Sequence, residues 1–123
     1  MEALANDSHL GFFVKAEIPG KDNGFDIEGI EICQNRIFLG LRGPVLRGWA
    51  IILEIELQES NLPRLLDLKY LGKSGEKYKK HFIYLNGLGI RDLCWDNQDL
   101  LILAGPTMDL DGPVTIYRLK DGA

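Results

Sequence analysis

Eight charged side chains stand in or beside turn residues and strand ends, where a folded chain most often holds its ligands: Asp26, Glu28, Arg42, Arg47, Arg91, Asp92, Asp109 and Asp111. The carboxylates offer hard oxygen donors to a divalent cation, with Asp26, Asp109 and Asp111 as the metal candidates. Glu28, Arg42, Arg47, Arg91 and Asp92 are the ligand-binding candidates, because planar guanidiniums suit a carboxylate or phosphate. One chemistry built from this set is metal-assisted hydrolysis of a phosphoester or ester, with Asp26 and Glu28 holding the cation and Arg42 or Arg91 orienting the anion. The structural reading of the same residues comes first, since ion-pair networks also place charges near cores. In it Glu28 and Arg91 pair across two units of the fold, the arginines cap strand-edge carbonyls, and Asp111-Gly112 is an ordinary hairpin turn.

Other chemistries find less support. Asp109-Leu110-Asp111-Gly112 lacks the further oxygen donors and distal Glu of an EF-hand, so no cofactor is expected and calcium is the only candidate. Gly72-Lys73-Ser74 is not a P-loop, because Asp67 stands where the first glycine is required. His9 and His81 are the only histidines, Ser74 lacks a nucleophile elbow, and Cys33 and Cys94 have neither CxxC nor catalytic surroundings. Both cysteines sit in apolar runs and read as reduced, structural hydrophobes. Trp49, Trp95 and Tyr117 fall at alternating strand positions and read as packing residues before they read as a ligand surface.

The elements that must position these residues are strands. Short apolar or alternating runs bounded by Gly, Pro, Asn and Asp recur along the 123 residues, and helical periodicity is nearly absent. The expected strands are LGFFVKAEI (Leu10 to Ile18), IEGIEIC, RIFLGLRG, WAIILEIEL, GIRDLCWD, DLLILAG and VTIYRL, with LLDLKYL and HFIYLN between the two halves. Trp49 to Leu57 alternates, which predicts one buried face and one partly wet face carrying Glu54 and Glu56. GKSGEKYKKH (Gly72 to His81) is the least core-like stretch and is expected to be a solvated loop.

A net charge of −4 provides no general attraction to nucleic acid or an anionic membrane, and no apolar run is long enough to span a bilayer. The first residues lack the basic start and apolar core of a secretory signal, so a soluble cytoplasmic product is the expectation.

The chain carries one order of segments twice: Gly-Ile, an apolar run with Cys, a polar turn, an apolar run ending in Gly-Pro, a Gly-containing loop and an alternating strand. Gly43-Pro44 matches Gly105-Pro106 and Ile52 matches Ile116, a period of about sixty residues. This predicts a single all-β domain of two repeats, about 10–57 and 65–120, each a four-stranded antiparallel meander of the kind that forms a β-propeller blade. Two blades leave open edges, so the expected completion is a homo-oligomer, with a ring of three chains as the guess and the N-terminal strand completing a neighbour's last blade. The segments NGFDIEGIEI, GLRGPVLRGWA, LNGLGIRDL and DLLILAGPTMDLDGP resemble the bacterial family called domain of unknown function 3616. That resemblance implies a β-propeller-like fold without an established activity and makes the chain similar to the later portion of longer members. DIEGI also resembles the opening of esterase-like phytase propellers, which is the source of the hydrolase alternative. The leading expectation is a ligand- or protein-binding, self-assembling module.

Overall fold

A computed structural model describes residues 4–16, 24–59, 66–68, 77–106 and 114–121. The elements in chain order are α1 (Gly11–Ala16), β1 (Asp26–Cys33), β2 (Arg36–Gly43), β3 (Trp49–Glu59), β4 (Leu66–Leu68), β5 (Lys79–Tyr84), β6 (Gly89–Asp96), β7 (Asp99–Gly105) and β8 (Thr115–Leu119). Among the described residues the fold is all-β apart from one short helix, and every strand pair is antiparallel. One sheet has five strands, in the order β1-β2-β3-β4 with β5 also on β3, and the other has three, β6-β7-β8.

The two hairpins that open these sheets are alike residue by residue. Each turns on two polar residues whose first member has a left-handed backbone, Gln34 (φ 56°) in one and Asn97 (φ 57°) in the other. In β1–β2 the ladder pairs Ile27 with Leu41 and then Gly29 with Gly40, leaving out Glu28. In β6–β7 it pairs Ile90 with Ala104 and then Asp92 with Leu103, leaving out Arg91. Both charged residues therefore occupy the same ladder slip, a feature that bends a strand and re-aims a side chain.

The sheets pack on each other through one core, and the larger sheet carries a second core on its opposite face. Phe38, Ala50 and Ile52 meet Ile90, Leu93, Leu100, Ile102 and Ala104 between the sheets. Leu41, Ile51 and Leu53 are covered by Leu4 and Leu10 of the N-terminal segment, with Val14 packed alongside. β6 lies against β1 and β2, at a separation only glycine permits at two points. A Cβ on Gly40 would sit 2.4 Å from Ile90 Cγ2, and one on Gly89 would sit 1.9 Å from the Arg42 carbonyl oxygen.

Four expectations change. Leu10 to Ile18 does not begin as a strand, because Gly11–Ala16 is helical. Asp7 Oδ1 accepts hydrogen bonds from the N–H groups of His9 and Leu10, which starts the turn, and Leu10 and Val14 then share a face at helical spacing. The proposed swapped N-terminal strand is lost with it. The partly wet face expected of β3 is absent from Ala50 to Leu53, since these four residues are all buried between the two cores. Among the described residues the sheets hold five and three strands rather than four each, because β5 pairs with β3 in the larger sheet. Gly72 to His81 is not solvated loop throughout, because β5 begins at Lys79 and Tyr78 packs against the core under α1. Residues 69–76 lie outside the described residues, as does the expected 107–113 turn.

Among the described residues, no helix is long and apolar enough to cross a membrane.

Candidate functional site

The matching ladder slips bring Glu28 and Arg91 together at the junction of the two sheets. Glu28 Oε2 lies 3.8 Å from Arg91 Nε, and Glu28 Oε1 lies 3.6 Å from Arg42 Nη1. Arg42 stands opposite a further slip, between the Asp26–Gly43 and Ile27–Leu41 pairs. Both arginines also reach the end of β7. Arg91 Nη2 donates to the Pro106 carbonyl oxygen at 2.7 Å and Arg42 Nε donates to the same oxygen at 3.4 Å. One carboxylate, two guanidiniums and a carbonyl thus tie β1, β2 and β6 to the residue after β7. Arg91 Nε is buried without a hydrogen-bond partner, so the cluster retains one unused donor.

A divalent cation at Glu28 would face two guanidiniums, and this electrostatic environment does not favour the hydrolase arrangement. Asp92 is exposed and its Oδ1 accepts from the N–H of Leu93, which makes it a local backbone cap. Asp26 opens β1 opposite Gly43. Asp109 and Asp111 lie outside the described residues. Among the described residues, no group of three or more His, Cys, Asp or Glu is placed to hold a metal ion.

Arg47 is separate from this cluster. It tips the turn between β2 and β3, where Leu46 and Trp49 exchange backbone hydrogen bonds of 2.9 Å. There it borders an open cleft of about 740 Å³ formed by the Ser8–His9 segment, the Val45–Arg47 turn, Trp49 and Phe82. Trp49 and Phe82 are 45 % and 39 % exposed, so Trp49 is not the packing residue its position in an alternating run implied. Trp95 and Tyr117 do pack against the core between the sheets. Cys33 packs there too, whereas Cys94 is exposed, contrary to the expectation that both are structural hydrophobes.

Two polar groups escaped the sequence reading. Glu54, 9 % exposed, pairs with Arg36 and accepts a hydrogen bond from His81 Nε2 at 2.9 Å, beside a cleft of about 330 Å³. Asp7 Oδ2 accepts from Tyr78 Oη at 2.6 Å and lies 2.9 Å from Lys80 Nζ, joining the N-terminal segment to β5. Each group depends on the pairing of β5, whose partner in β3 is separated from it by 20 or more residues of chain in which no turn signal names the mate.

The family model described as protein of unknown function (DUF3616) matches residues 1–123, and the chain belongs to that family. No curated protein and no solved structure matches the chain.

Proposed function

We propose that this member of the family is a β-propeller-type binding module that is completed by association with further copies of itself. The observation that supports this reading is that both halves of the packing between its two sheets recur, exposed, on the outer faces. Ala50 and Ile52 help receive the second sheet, and their counterparts by hairpin register are Val114 and Ile116, 64 % and 69 % exposed. Leu93 and Trp95 pack onto the first sheet, and their counterparts on β1, Ile30 and Ile32, are each 59 % exposed. The Ile116 face of one copy would seat on the Ile30 face of the next, beside α1. Such a contact is heterologous and can close into a ring. A ring of about three copies would have six sheets, within the roughly four to eight blades of closed propellers. In that assembly Glu28, Arg42, Arg91 and Asp92, near the first strand of each unit, form a rim for an anionic ligand.

Light scattering of the purified chain tests the reading, with an Ile116→Glu chain and an Ile30→Glu chain beside it. The wild type is expected to form a closed oligomer and each variant to be monomeric. An equimolar mixture of the variants is expected to give dimers, since each keeps one intact face. A wild-type chain that stays monomeric at every concentration, or variants that assemble as the wild type does, would overturn it.

A further inference from the structure

The cleft beside Arg47 has the composition of a ligand site and lies apart from the faces invoked for self-association. Its floor is aromatic. Trp49 on β3 is directly opposite Tyr84 on β5, with ring centroids 5.4 Å apart, and Phe82 follows two residues along the same strand. His9 stands edge-on to Phe82, with centroids 5.0 Å apart and planes at 68°. That ring is held from behind by Lys80, whose Nζ donates to Nδ1 at 2.6 Å, so Nε2 carries the proton of the neutral ring. No acidic residue is among those that line the cleft.

Arg47 supplies the single full charge on the lining, and it does so from a costly backbone position. Its φ is 52°, in the left-handed region that favours Gly, Asn and Asp. Of the other described non-glycine residues with positive φ, Asn86, Asn97 and Asp121 fit that preference and Gln34 alone joins Arg47 in departing from it. No ion pair or hydrogen bond ties the Arg47 side chain to another described residue. The two-residue turn itself requires a positive φ at Arg47 and Gly48, so what turn geometry does not account for is an arginine in place of Gly, Asn or Asp, with no partner among the described residues and at the mouth of an aromatic cleft.

We propose that this cleft binds a small aromatic carboxylate, the ring against Trp49 and Phe82 and the carboxylate on the Arg47 guanidinium. Both halves of the ligand have a physical partner. Exposed aromatic faces recover buried area on a planar ring, and a guanidinium fork matches a carboxylate in geometry and charge. The volume of about 740 Å³ falls among those of small-molecule sites, roughly 300–1,000 Å³.

The test is titration of the whole chain with indole-3-acetate and benzoate, and with indole (ring without charge) and acetate (charge without ring) as controls. The readout is the indole N–H resonance of each of the two tryptophans, with affinity by calorimetry. Indole-3-acetate is expected to shift Trp49 and leave Trp95 in place, and to bind more tightly than indole or acetate. Arg47→Asn suits the left-handed turn, so its melting temperature should equal or exceed the wild-type value while affinity for the carboxylate falls by about tenfold or more. Its affinity for indole should not change. An Ile116→Glu chain should bind as the wild type does, which separates this site from self-association. The proposal is overturned if neither carboxylate shifts Trp49 at millimolar concentration, if indole or acetate binds as tightly as indole-3-acetate, or if Arg47→Asn binds it unchanged.

Discussion

Asp7 shows how one residue can fasten a segment whose own sequence is undecided. Its side chain is only 3 % exposed. Burial pushes its carboxyl pKa up, yet hydrogen bonds from Tyr78, Lys80 and the N–H groups of Leu10 and His9 outweigh that and hold it at about 2, against an ordinary 3.8. A carboxyl whose folded pKa is depressed stabilises fully above its unfolded value and loses that contribution as pH falls through the folded one. The wild type should therefore lose roughly 2 kcal/mol between pH 5 and pH 2 from this group alone. Asp7→Asn should be less stable at neutral pH and its stability should fall less steeply over that window, as measured by urea unfolding at each pH. Parallel profiles would place the acid sensitivity elsewhere. Asp99 is also shifted down, by its hydrogen bond from Arg118, but on the open surface it serves only to tie β8 to the β6–β7 turn.

At the scale of elements, the instructive case is α1. A strand over Leu10, Phe12 and Val14 would point all three to one face, whereas in the observed turn and helix Leu10, just ahead of α1, is fully buried, Val14 packs beside it and Phe12 is 68 % exposed. The two geometries make opposite predictions for Phe12. Leu10→Ala should cost about 2–5 kcal/mol by opening the core over Leu41 and Leu53, while Phe12→Ala should stay within about 0.5 kcal/mol. Comparable losses in both, measured by chemical denaturation, would restore the strand. The segment reads as a strand because its alternating apolar residues satisfy a period of two, and the signal that decides against it is the Asp7 side chain bonding to the backbone just ahead. β3 misleads in the other direction. Its alternation is genuine, but Ala50 and Ile52 meet one core and Ile51 and Leu53 meet the other, so neither face is open to water over these four residues.

For the whole molecule, the contact between the sheets depends on where glycine stands in one of the two similar hairpins. Gly40 and Leu103 occupy equivalent positions in the two hairpins, yet only the first has a sheet seated on it, with Ile90 against the missing Cβ. Gly40→Leu, which makes the two hairpins more alike, should therefore destabilise the chain by about 1–3 kcal/mol through overpacking. Thermal unfolding checks this, and an unchanged melting temperature would mean that the sheets can part at no cost. The sequence by itself determined the all-β class, most of the strands from Asp26 onward, the two-residue polar turn at Gln34 and the family, because each is written in local alternation, turn chemistry or long shared segments. It also placed Glu28 and Arg91 at matching positions, and the structure joins them in one ion-paired cluster with Arg42. Only the tertiary structure decided that Arg47 stands apart from that cluster beside Trp49 and Phe82, that β5 completes the first sheet, and that α1 caps one of its faces. The reason is physical: which strand pairs across a long connection, and which face receives another layer, depends on burial summed over the whole chain, and a local pattern of residue types carries no record of that sum.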